Sequence, residues 1–305
     1  MRIVISLGGN ALLLRGDRPD ADVQRANVVR VATALAPLAH EHDLVVTHGN
    51  GPQITLLAEE STADPELSAP YPLDLLTAQT QGMIGSLLTR ALRDALPGRR
   101  IVTLVTHTLV RADDPGLARP TTPLGPSYPR ALAEAFARRR GWHIAPDGHG
   151  GWRRVVPAPN PERIVETDTV HELLGGGSLV VCAGGGGVPV TTDGNAICTE
   201  AVVDKDLAAA RLAADLKAEF LLILTDVPNV YAHYGTPDQR PVLDTTPSRL
   251  RAGRYPDDTM GPKAEAAARF VAGTGAPAAI GALDAAYAIV QGRSGTLVRP
   301  DLAAG

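Results

Sequence analysis

Residues 2–10 read RIVISLGGN, an apolar run of strand length that ends in two glycines and an asparagine. A second such unit, LVVTHGNG at 44–51, follows a stretch over 20–40 whose apolar residues recur at helical spacing. Apolar strands that alternate with helices predict an α/β fold, in which a mostly parallel sheet is covered by helices on both faces. Further strands are predicted at 101–106, 178–183, 220–225, 278–280 and 296–298.

The regular pattern breaks over about 107–161, a segment rich in proline, glycine and arginine. Loops of that length are usually functional lids or small inserted subdomains. Trp142, Trp152 and the pair at 155–156 can give such an insertion a small core of its own. We therefore favour an inserted subdomain over a flexible linker, within a chain (1–305) that otherwise forms a single domain.

Three glycine-rich turns follow three of the predicted strands, at 8–10, 49–51 and 184–187. In a parallel sheet these turns lie at the carboxyl ends of the strands, where α/β proteins place their ligands. Glycine lets backbone N–H groups approach phosphate oxygens closely, and helix N-termini add positive potential. A single turn needs no functional explanation, but three turns at one edge of a sheet predict an anion site.

Composition and missing motifs argue against several classes of function. The 305 residues include 29 basic and 33 acidic side chains, and this near-neutral balance disfavours a nucleic-acid partner. No apolar stretch approaches the roughly 20 residues that span a bilayer, and 6–10 interrupt the only candidate signal peptide. We therefore expect a cytoplasmic protein without a membrane partner. The sequence has no GxxxxGK[ST] loop, and Pro189 stands where a dinucleotide fingerprint needs its third glycine.

Lysine is rare in this chain, because only three of the 29 basic residues are lysines. Lys205 and Lys263 each lie at a predicted helix N-terminus, where a positive charge opposes the helix dipole by roughly 0.3–1 kcal/mol. An anionic ligand between them would account for both placements, and compact ammonium groups suit a phosphoryl group in transit. Lys217, near a predicted helix C-terminus, is typical of a solvated surface charge.

Eight segments of the chain resemble the motifs of the carbamate kinases, which belong to the amino acid kinase family. Each segment alone is modestly specific, but their order and spacing together span nearly the whole chain. Ser6 agrees with this resemblance, because carbamate kinases have a small residue at that place, whereas other amino acid kinases usually carry a lysine there. The segments are SLGGNAL (6–12), THGNGPQ (47–53), QGMIG (81–85), RVVPAP (154–159), AGGGGVP (183–189), EAVVDKDLA (200–208), LTDV (224–227) and MGPK (260–263).

The resemblance implies a three-layer αβα sandwich with a central, mainly parallel eight-stranded sheet, a small protruding lid at about 107–161, and a homodimer. It implies reversible transfer of a phosphoryl group between carbamoyl phosphate and ADP, with Mg²⁺ required and its ligands undetermined. Carbamoyl phosphate is expected in the half at about 1–200, and the nucleotide in the half at 201–305. The residues expected to bind carbamoyl phosphate are Gly8, Gly9, Asn10, Gly49, Asn50 and Gly51. Those expected to bind the nucleotide are Gly185, Gly186, Asp226, Val227, Tyr231, Met260, Pro262 and Lys263.

We expect Lys205, Asp206 and Lys263 to be the catalytic residues. A β-phosphate oxygen of ADP would attack the phosphorus of carbamoyl phosphate in line, so no covalent phosphoenzyme is needed. The two lysines would neutralise charge on the transferred group, and Asp206 would hold them in position.

Two positions depart from the motifs of the carbamate kinases. Thr122, in PTTP at 120–123, replaces a lysine that is usual in the lid, and Thr55 replaces a glycine. These changes agree with three explanations: weakened activity, an altered substrate, or a compensating charge such as Arg119 or Arg111. Two alternatives therefore stay open: a kinase of this fold that uses another small carboxylate or phosphorylated acceptor, and a catalytically quiet sensor of nucleotide or acyl phosphate.

Overall fold

A computed structural model describes residues 1–14, 16–148, 150–191, 200–255 and 259–301. No helix in these ranges combines the length and the apolarity needed to cross a bilayer. The strands are β1 (Arg2–Leu7), β2 (Asp43–His48), β3 (Ile101–Thr103), β4 (His107–Val110), β5 (Thr122–Tyr128), β6 (His143–Pro146), β7 (Trp152–Val156), β8 (Arg163–Ile164), β9 (Leu179–Val181), β10 (Val188–Thr191), β11 (Phe220–Thr225), β12 (Val230–Ala232), β13 (Arg240–Val242), β14 (Asp244–Thr245), β15 (Ala278–Ala282) and β16 (Thr296–Val298). The helices are α1 (Ala21–Glu41), α2 (Gly51–Ala63), α3 (Leu73–Ala95), α4 (Pro115–Ala118), α5 (Arg130–Arg140), α6 (Thr167–Gly175), α7 (Lys205–Asp215), α8 (Pro247–Ala252), α9 (Met260–Thr274) and α10 (Ala286–Val290).

The central sheet has eight strands in the order β14-β16-β15-β11-β1-β2-β9-β3. β1 lies in its middle, parallel to β11 on one side and to β2 on the other. Only the β15–β16 pair is antiparallel. The structure thus confirms the mainly parallel eight-stranded sheet, and it brings the turns after β1, β2, β9 and β11 to the same edge.

Both faces of the sheet are covered by helices. Along β1, Ile3 and Ile5 belong to a core cluster shared with apolar residues of α1, α3 and α10. Val4, which points to the opposite face, belongs to a cluster shared with residues of α6, α7 and α9. All three side chains are fully buried. This alternation confirms the three-layer αβα arrangement, because a strand buried on both faces has apolar residues at successive positions.

The segment predicted as an insertion contains a small antiparallel sheet of its own, β5-β7-β6, together with α5. Within it, the ring centroids of Phe136 and Trp142 lie 5.4 Å apart, whereas buried Val156 belongs to an apolar cluster shared with residues of α2 and α3. We call this unit, 115–157, the lid. His107–Val110, at the start of the predicted insertion, pairs instead with β10 and β8 in a separate three-stranded sheet.

Two predicted elements end at least three residues earlier than expected. The strand predicted over 101–106 ends at Thr103, because the N–H and hydroxyl of Thr106 both donate to the Gln81 side chain. The helix predicted over 204–219 ends at Asp215, and Lys217 just beyond it has a positive φ of 52° that no helix continues through.

The contact between α3 and β3 depends on Gly85. A Cβ added there would lie 2.2 Å from Thr103 Cγ2, and Thr103 Oγ1 is held by the Gly85 carbonyl and by Thr89. We predict that Gly85→Ala lowers the free energy of unfolding in urea by about 1–3 kcal/mol, the scale of overpacking. Gly273→Ala is the control, since an added Cβ there has open space. An equal decrease in the free energy of unfolding in the two variants would contradict the close contact between Gly85 and Thr103.

Candidate active site

Lys205 and Lys263 reach the same carboxylate. Lys205 is the first residue of α7, Lys263 lies in the first turn of α9, and these two helices pack together. Lys205 Nζ donates to Asp206 Oδ1 at 2.6 Å, and Lys263 Nζ donates to Asp206 Oδ2 at 3.0 Å. Asp206 is only 1% exposed. One buried carboxylate therefore brings together the two lysines that the sequence singled out.

The end of β1 completes this cluster through Ser6. Its hydroxyl donates to Asp206 Oδ1 at 2.6 Å and accepts from Lys205 Nζ at 3.3 Å. Ser6 is fully buried, and the register of β1 places it between Ile223 of β11 and Thr47 of β2. The small hydroxyl leaves room for the Lys205 ammonium group beside the same carboxylate oxygen.

Burial and attraction oppose each other at the three charges. Burial disfavours the charge of Asp206, but the attraction of Lys205 and Lys263 outweighs it and holds the Asp206 pKa well below its usual range. Burial lowers the pKa of Lys205, and attraction by Asp206 offsets part of that effect. At Lys263 burial is outweighed by Asp206, so its pKa is raised. An ionised carboxylate between two lysines leaves an excess of positive charge for an anionic ligand.

The N-terminus of α7 is capped by Asp204. Its Oδ1 accepts hydrogen bonds from the backbone N–H groups of Asp206 and Leu207, both at 2.9 Å. This cap fixes the first turn of the helix, the turn that carries both Lys205 and Asp206. Burial, followed by repulsion from Asp206, raises the pKa of Asp204.

The turns after β1 and β2 lie directly against Lys205. A Cβ added at Gly49 would lie 3.0 Å from the backbone nitrogen of Gly9 and 3.2 Å from Lys205 Cδ, so only glycine fits without displacing them. Gly8 donates its N–H to the carbonyl of Leu224 at 2.9 Å. Gly9–Ala11 forms a 3₁₀ turn and Gly51 begins α2. The N–H groups at such starts have no partner within their own helix.

The third glycine turn, at 184–187, packs against the second. A Cβ at Gly185 would lie 2.3 Å from Asn50 Nδ2, and one at Gly186 would lie 2.2 Å from the carbonyl oxygen of Val203. The φ angles of Gly185 and Gly186 are +61° and +87°, which side-chain-bearing residues rarely adopt. The turn therefore touches both the predicted substrate loop and the segment that leads into Lys205.

Four polar side chains support the glycine turns, and sequence reasoning did not find them. His48 Nδ1 lies 3.0 Å from the Gly49 carbonyl oxygen, and burial lowers the pKa of His48 to about 4, so the ring is neutral and Nδ1–H donates. Gln81 binds the backbone of Thr106, whose hydroxyl accepts from the N–H of Ala183. Thr108 Oγ1 donates to the Gly186 carbonyl at 2.6 Å. The segments THGNGPQ, which contains His48, and QGMIG, which contains Gln81, were the available signals.

The residues predicted to bind the nucleotide are spread over two places at the sheet edge. Asp226 and Val227 directly follow β11, and the Asp226 charge contributes to the raised pKa of Lys263. Gly185 and Gly186 follow β9, which the strand order separates from β11 by three strand spacings, about 14 Å. The structure brings these glycines next to Asn50, a predicted substrate residue, rather than to Asp226.

Three further residues predicted for the nucleotide lie on α9 and β12. Met260 is the first residue of α9 and packs at the margin of the core cluster that contains α7. Pro262 directly precedes Lys263 in the same first turn. Tyr231 lies in β12, with its ring centroid 6.3 Å from that of Tyr234.

The lid is connected to the segment that leads into Lys205. Arg154 of β7 forms an ion pair with Glu200, and the N–H of Val202 donates to the Pro157 carbonyl at 3.0 Å. Val202 also packs against the apolar cluster that contains the lid residues Leu124 and Val156. Residues 200–204 thus join the lid to the first turn of α7.

The positions that depart from the motifs both lie on the lid side of the molecule. Thr122 pairs with Val156 inside the lid sheet, and Thr55 of α2 faces the cavity between α2 and the lid. Arg111, one of the proposed compensating charges, is held by Asp113 through two hydrogen bonds of 2.8 and 2.7 Å. Arg154, opposite Leu124 in the sheet, lies on the same face as Thr122, and its charge is paired with Glu200.

The amino acid kinase family model matches residues 1–282. A carbamate kinase of Rhizobium meliloti is 45% identical over 303 residues, which cover 98% of this chain and 93% of that relative. A carbamate kinase of Escherichia coli K12 is 43% identical over 296 residues, covering 97% of this chain and 98% of the relative. Among solved structures, one from Aeropyrum pernix K1 is 41% identical with a TM-score of 0.91 and covers 99% of this chain and 100% of that chain. A carbamate kinase from Giardia lamblia bound to AMP-PNP is 35% identical with a TM-score of 0.89 and covers 98% of both chains.

We predict that Asp206→Asn destabilises the fold by about 3–5 kcal/mol, the scale of removing one partner from a buried ion pair. The pKa of Asp206 is lower in the folded chain than in the unfolded chain, where it is about 3.9. Its charge therefore contributes fully above about pH 4, and the contribution is lost as the pH falls further. The difference in the free energy of unfolding between wild type and variant, measured in urea, should be constant from about pH 5 to 7 and become smaller in stronger acid.

Asp22→Asn is the matched control for this prediction. Asp22 also pairs with a basic residue, Arg25, but its side chain is 92% exposed, so its loss should change stability by less than about 1 kcal/mol. An Asp206→Asn protein as stable as this control would contradict the structural role of the buried carboxylate.

Proposed function

The chain belongs to the amino acid kinase family and is a phosphotransferase, and we propose that it interconverts carbamoyl phosphate and ADP with carbamate and ATP. The observation that carries this proposal is the pair of lysines held on one buried carboxylate beside two glycine turns. A phosphoryl group passing between two anionic oxygens needs positive charge and N–H donors fixed in place, and little else from the protein. The identity with carbamate kinases along nearly the whole chain supports the choice of substrate.

In the proposed reaction, a β-phosphate oxygen of ADP attacks the phosphorus of carbamoyl phosphate, and the bond from phosphorus to the carbamate oxygen breaks. Lys205 and Lys263 balance the charge on the oxygens of the transferred group, while Asp206 keeps both ammonium groups oriented. The N–H groups of Gly9, Asn10 and Gly51, at the start of their helices, donate to the phosphoryl oxygens. Because Lys205 and Lys263 lie in the first turns of different helices, the transferred group would lie between the N-terminal ends of α7 and α9.

For the nucleotide, we propose a site formed after β11 and at the start of α9, with Asp226, Val227, Tyr231, Met260 and Pro262 around it. Gly185 and Gly186 support a different role. Their contacts with Asn50 and Val203 favour a place on the carbamoyl phosphate side, where they shape the loop at 49–51.

The family resemblance implies Mg²⁺, but the part of the chain that the structure describes offers no set of protein side chains that could by itself coordinate the ion. No group of three His, Cys, Asp or Glu side chains converges there, and both oxygens of Asp206 are already engaged by lysines. We therefore propose that Mg²⁺ is held mainly by nucleotide phosphate oxygens and water. When bound it would neutralise phosphate charge.

We predict that Lys205→Ala or Lys263→Ala lowers turnover at least about a hundredfold, the scale of losing one preorganised charge partner. The assay supplies carbamoyl phosphate, ADP and Mg²⁺ and follows ATP formation. Lys217→Ala is the matched control, because Lys217 is the third lysine and is exposed. Its turnover should stay within about twofold of wild type.

The same assay separates the alternative functions. ATP formation by wild type supports the carbamate kinase proposal, and Thr122→Lys, measured alongside, reports what the lid substitution does to the rate. If neither wild type nor Thr122→Lys formed ATP, the carbamate kinase proposal would be contradicted. Nucleotide binding without turnover would then favour a sensor, and turnover with another acceptor would favour a kinase of different specificity.

We also propose a homodimer formed through α3 and β3. β3 is an edge strand of the central sheet, and an open edge is a ready template for pairing with another chain. Beside it, a groove of about 570 Å³ is lined by residues of α3 and β3. Leu75 and Met83 on α3 are 48% and 37% exposed, which adds apolar surface next to the groove.

We predict that Met83→Glu gives a monomer, because it places a charge in the apolar part of the proposed interface. Wild type and the control Val29→Glu should both be dimers when the molar mass is measured by light scattering. Val29 on α1 is also an exposed apolar residue, at 56% exposure, but lies on another helix. A monomeric wild type, or a Met83→Glu protein that stays dimeric, would contradict the proposed interface.

A further inference from the structure

A cavity of about 720 Å³ lies between the lid and α2. Small-molecule sites in proteins usually have about 300–1,000 Å³, so this cavity is large enough for a ligand. Among the described residues, its wall includes neither Lys205, Asp206 and Lys263 nor the three glycine turns. The described wall of the cavity thus shares no residue with the cluster of two lysines. Its wall includes Thr55 and Glu59 of α2 and Leu124, Tyr128, Arg139, Arg140, Trp142 and Arg154 of the lid.

Three arginines give the lid side of this cavity an excess of positive charge. Arg154 is paired with Glu200. For Arg139 and Arg140, no carboxylate among the described residues lies within ion-pair distance. Burial, together with repulsion by Arg139 and Arg154, lowers the pKa of Arg140. An anion between these guanidinium groups would relieve that repulsion.

Aromatic rings hold two of the guanidinium groups in place. The guanidinium carbon of Arg140 lies 4.6 Å from the ring centroid of Phe136 and 5.1 Å from that of Trp142. That of Arg154 lies 5.0 Å from the Trp142 centroid. Stacking on a ring leaves the edge of a guanidinium free, and its N–H fork matches phosphate oxygens. The two groups are thus preorganised around one tryptophan.

A purely structural explanation covers part of this arrangement. Arg138, Arg139 and Arg140 form the last turn of α5, where positive charge complements the helix dipole. That explanation applies equally to all three residues. Only Arg139 and Arg140 line the cavity, whereas Arg138 does not. Arg138 and Arg140 therefore differ in the one property that a ligand site requires, and they can be compared directly.

We propose that the cavity between the lid and α2 is a second anion site, which binds a phosphorylated small molecule through Arg140 and Arg154. The phosphate lies against the two guanidinium groups beside Trp142. The rest of the ligand extends along the wall that Leu124 and Tyr128 form. Because Arg154 also pairs with Glu200, binding there competes with the contact that joins the lid to the segment before Lys205.

The chain carries a natural reporter for this site. It has only two tryptophans, so Trp142 becomes the single one in a Trp152→Phe protein. Inorganic pyrophosphate is titrated into that protein while tryptophan fluorescence is followed. The proposal predicts a saturable change in fluorescence. Arg140→Gln in the same background should weaken pyrophosphate binding at least about tenfold, the scale of one lost charge-assisted hydrogen bond, and Arg138→Gln should leave it unchanged.

The Lys263→Ala variant tests whether this site is distinct from the lysine cluster. The fluorescence titration should survive Lys263→Ala, because Lys263 does not line the cavity. Calorimetric titration of wild type and Arg140→Lys, both with two tryptophans, repeats the test without Trp152→Phe. Arg140→Lys should bind more weakly than wild type because it loses the planar fork. No saturable binding, equal binding by Arg140→Gln, or loss of binding in Lys263→Ala would each overturn the proposal, whatever the outcome of the kinase assay.

Discussion

Asp206 accepts hydrogen bonds from three side chains that belong to different parts of the fold: Ser6 at the end of β1, Lys205 on α7 and Lys263 on α9. A buried carboxylate is stable only when its charge is compensated. The two lysines supply that compensation, and they lose their own hydration in doing so. The same contact that makes the buried charge tolerable therefore also fixes the two ammonium groups where an anion can use them.

The position of Lys205 also explains why the neighbouring turns contain glycine. A Cβ at Gly49 would lie 3.2 Å from Lys205 Cδ and 3.0 Å from the nitrogen of Gly9, so a side chain there would have to displace its neighbours. His48 holds the Gly49 carbonyl as a neutral hydrogen-bond donor, so the ring adds no further charge beside Lys205. Positive charge, open N–H groups and a support of neutral polar groups are thus all collected at one edge of a parallel sheet.

Much of this could be predicted from local pattern. The apolar strands, the turns after them and the rarity of lysine are each visible within a few residues, and they predicted the central sheet and the placement of Lys205 and Lys263. Contacts between distant residues could not be predicted in this way. Ser6 and Asp206 are 200 positions apart, and nothing near Gln81 indicates that it binds Thr106. The strand order also determines that Gly185 lies beside Asn50, which spacing alone does not reveal.

Asp206 raises the pKa of both neighbouring lysines against the opposing effect of burial, and lysine-selective ¹⁵N NMR tests this most directly. With three lysines in the chain, each Nζ gives a signal that mutation can assign. The account predicts that Lys263 titrates above the ordinary lysine pKa and Lys205 below it. Replacing Asp206 with asparagine should move both resonances and both titrations. Two lysines that titrate together at the ordinary value, unchanged by that substitution, would contradict the account.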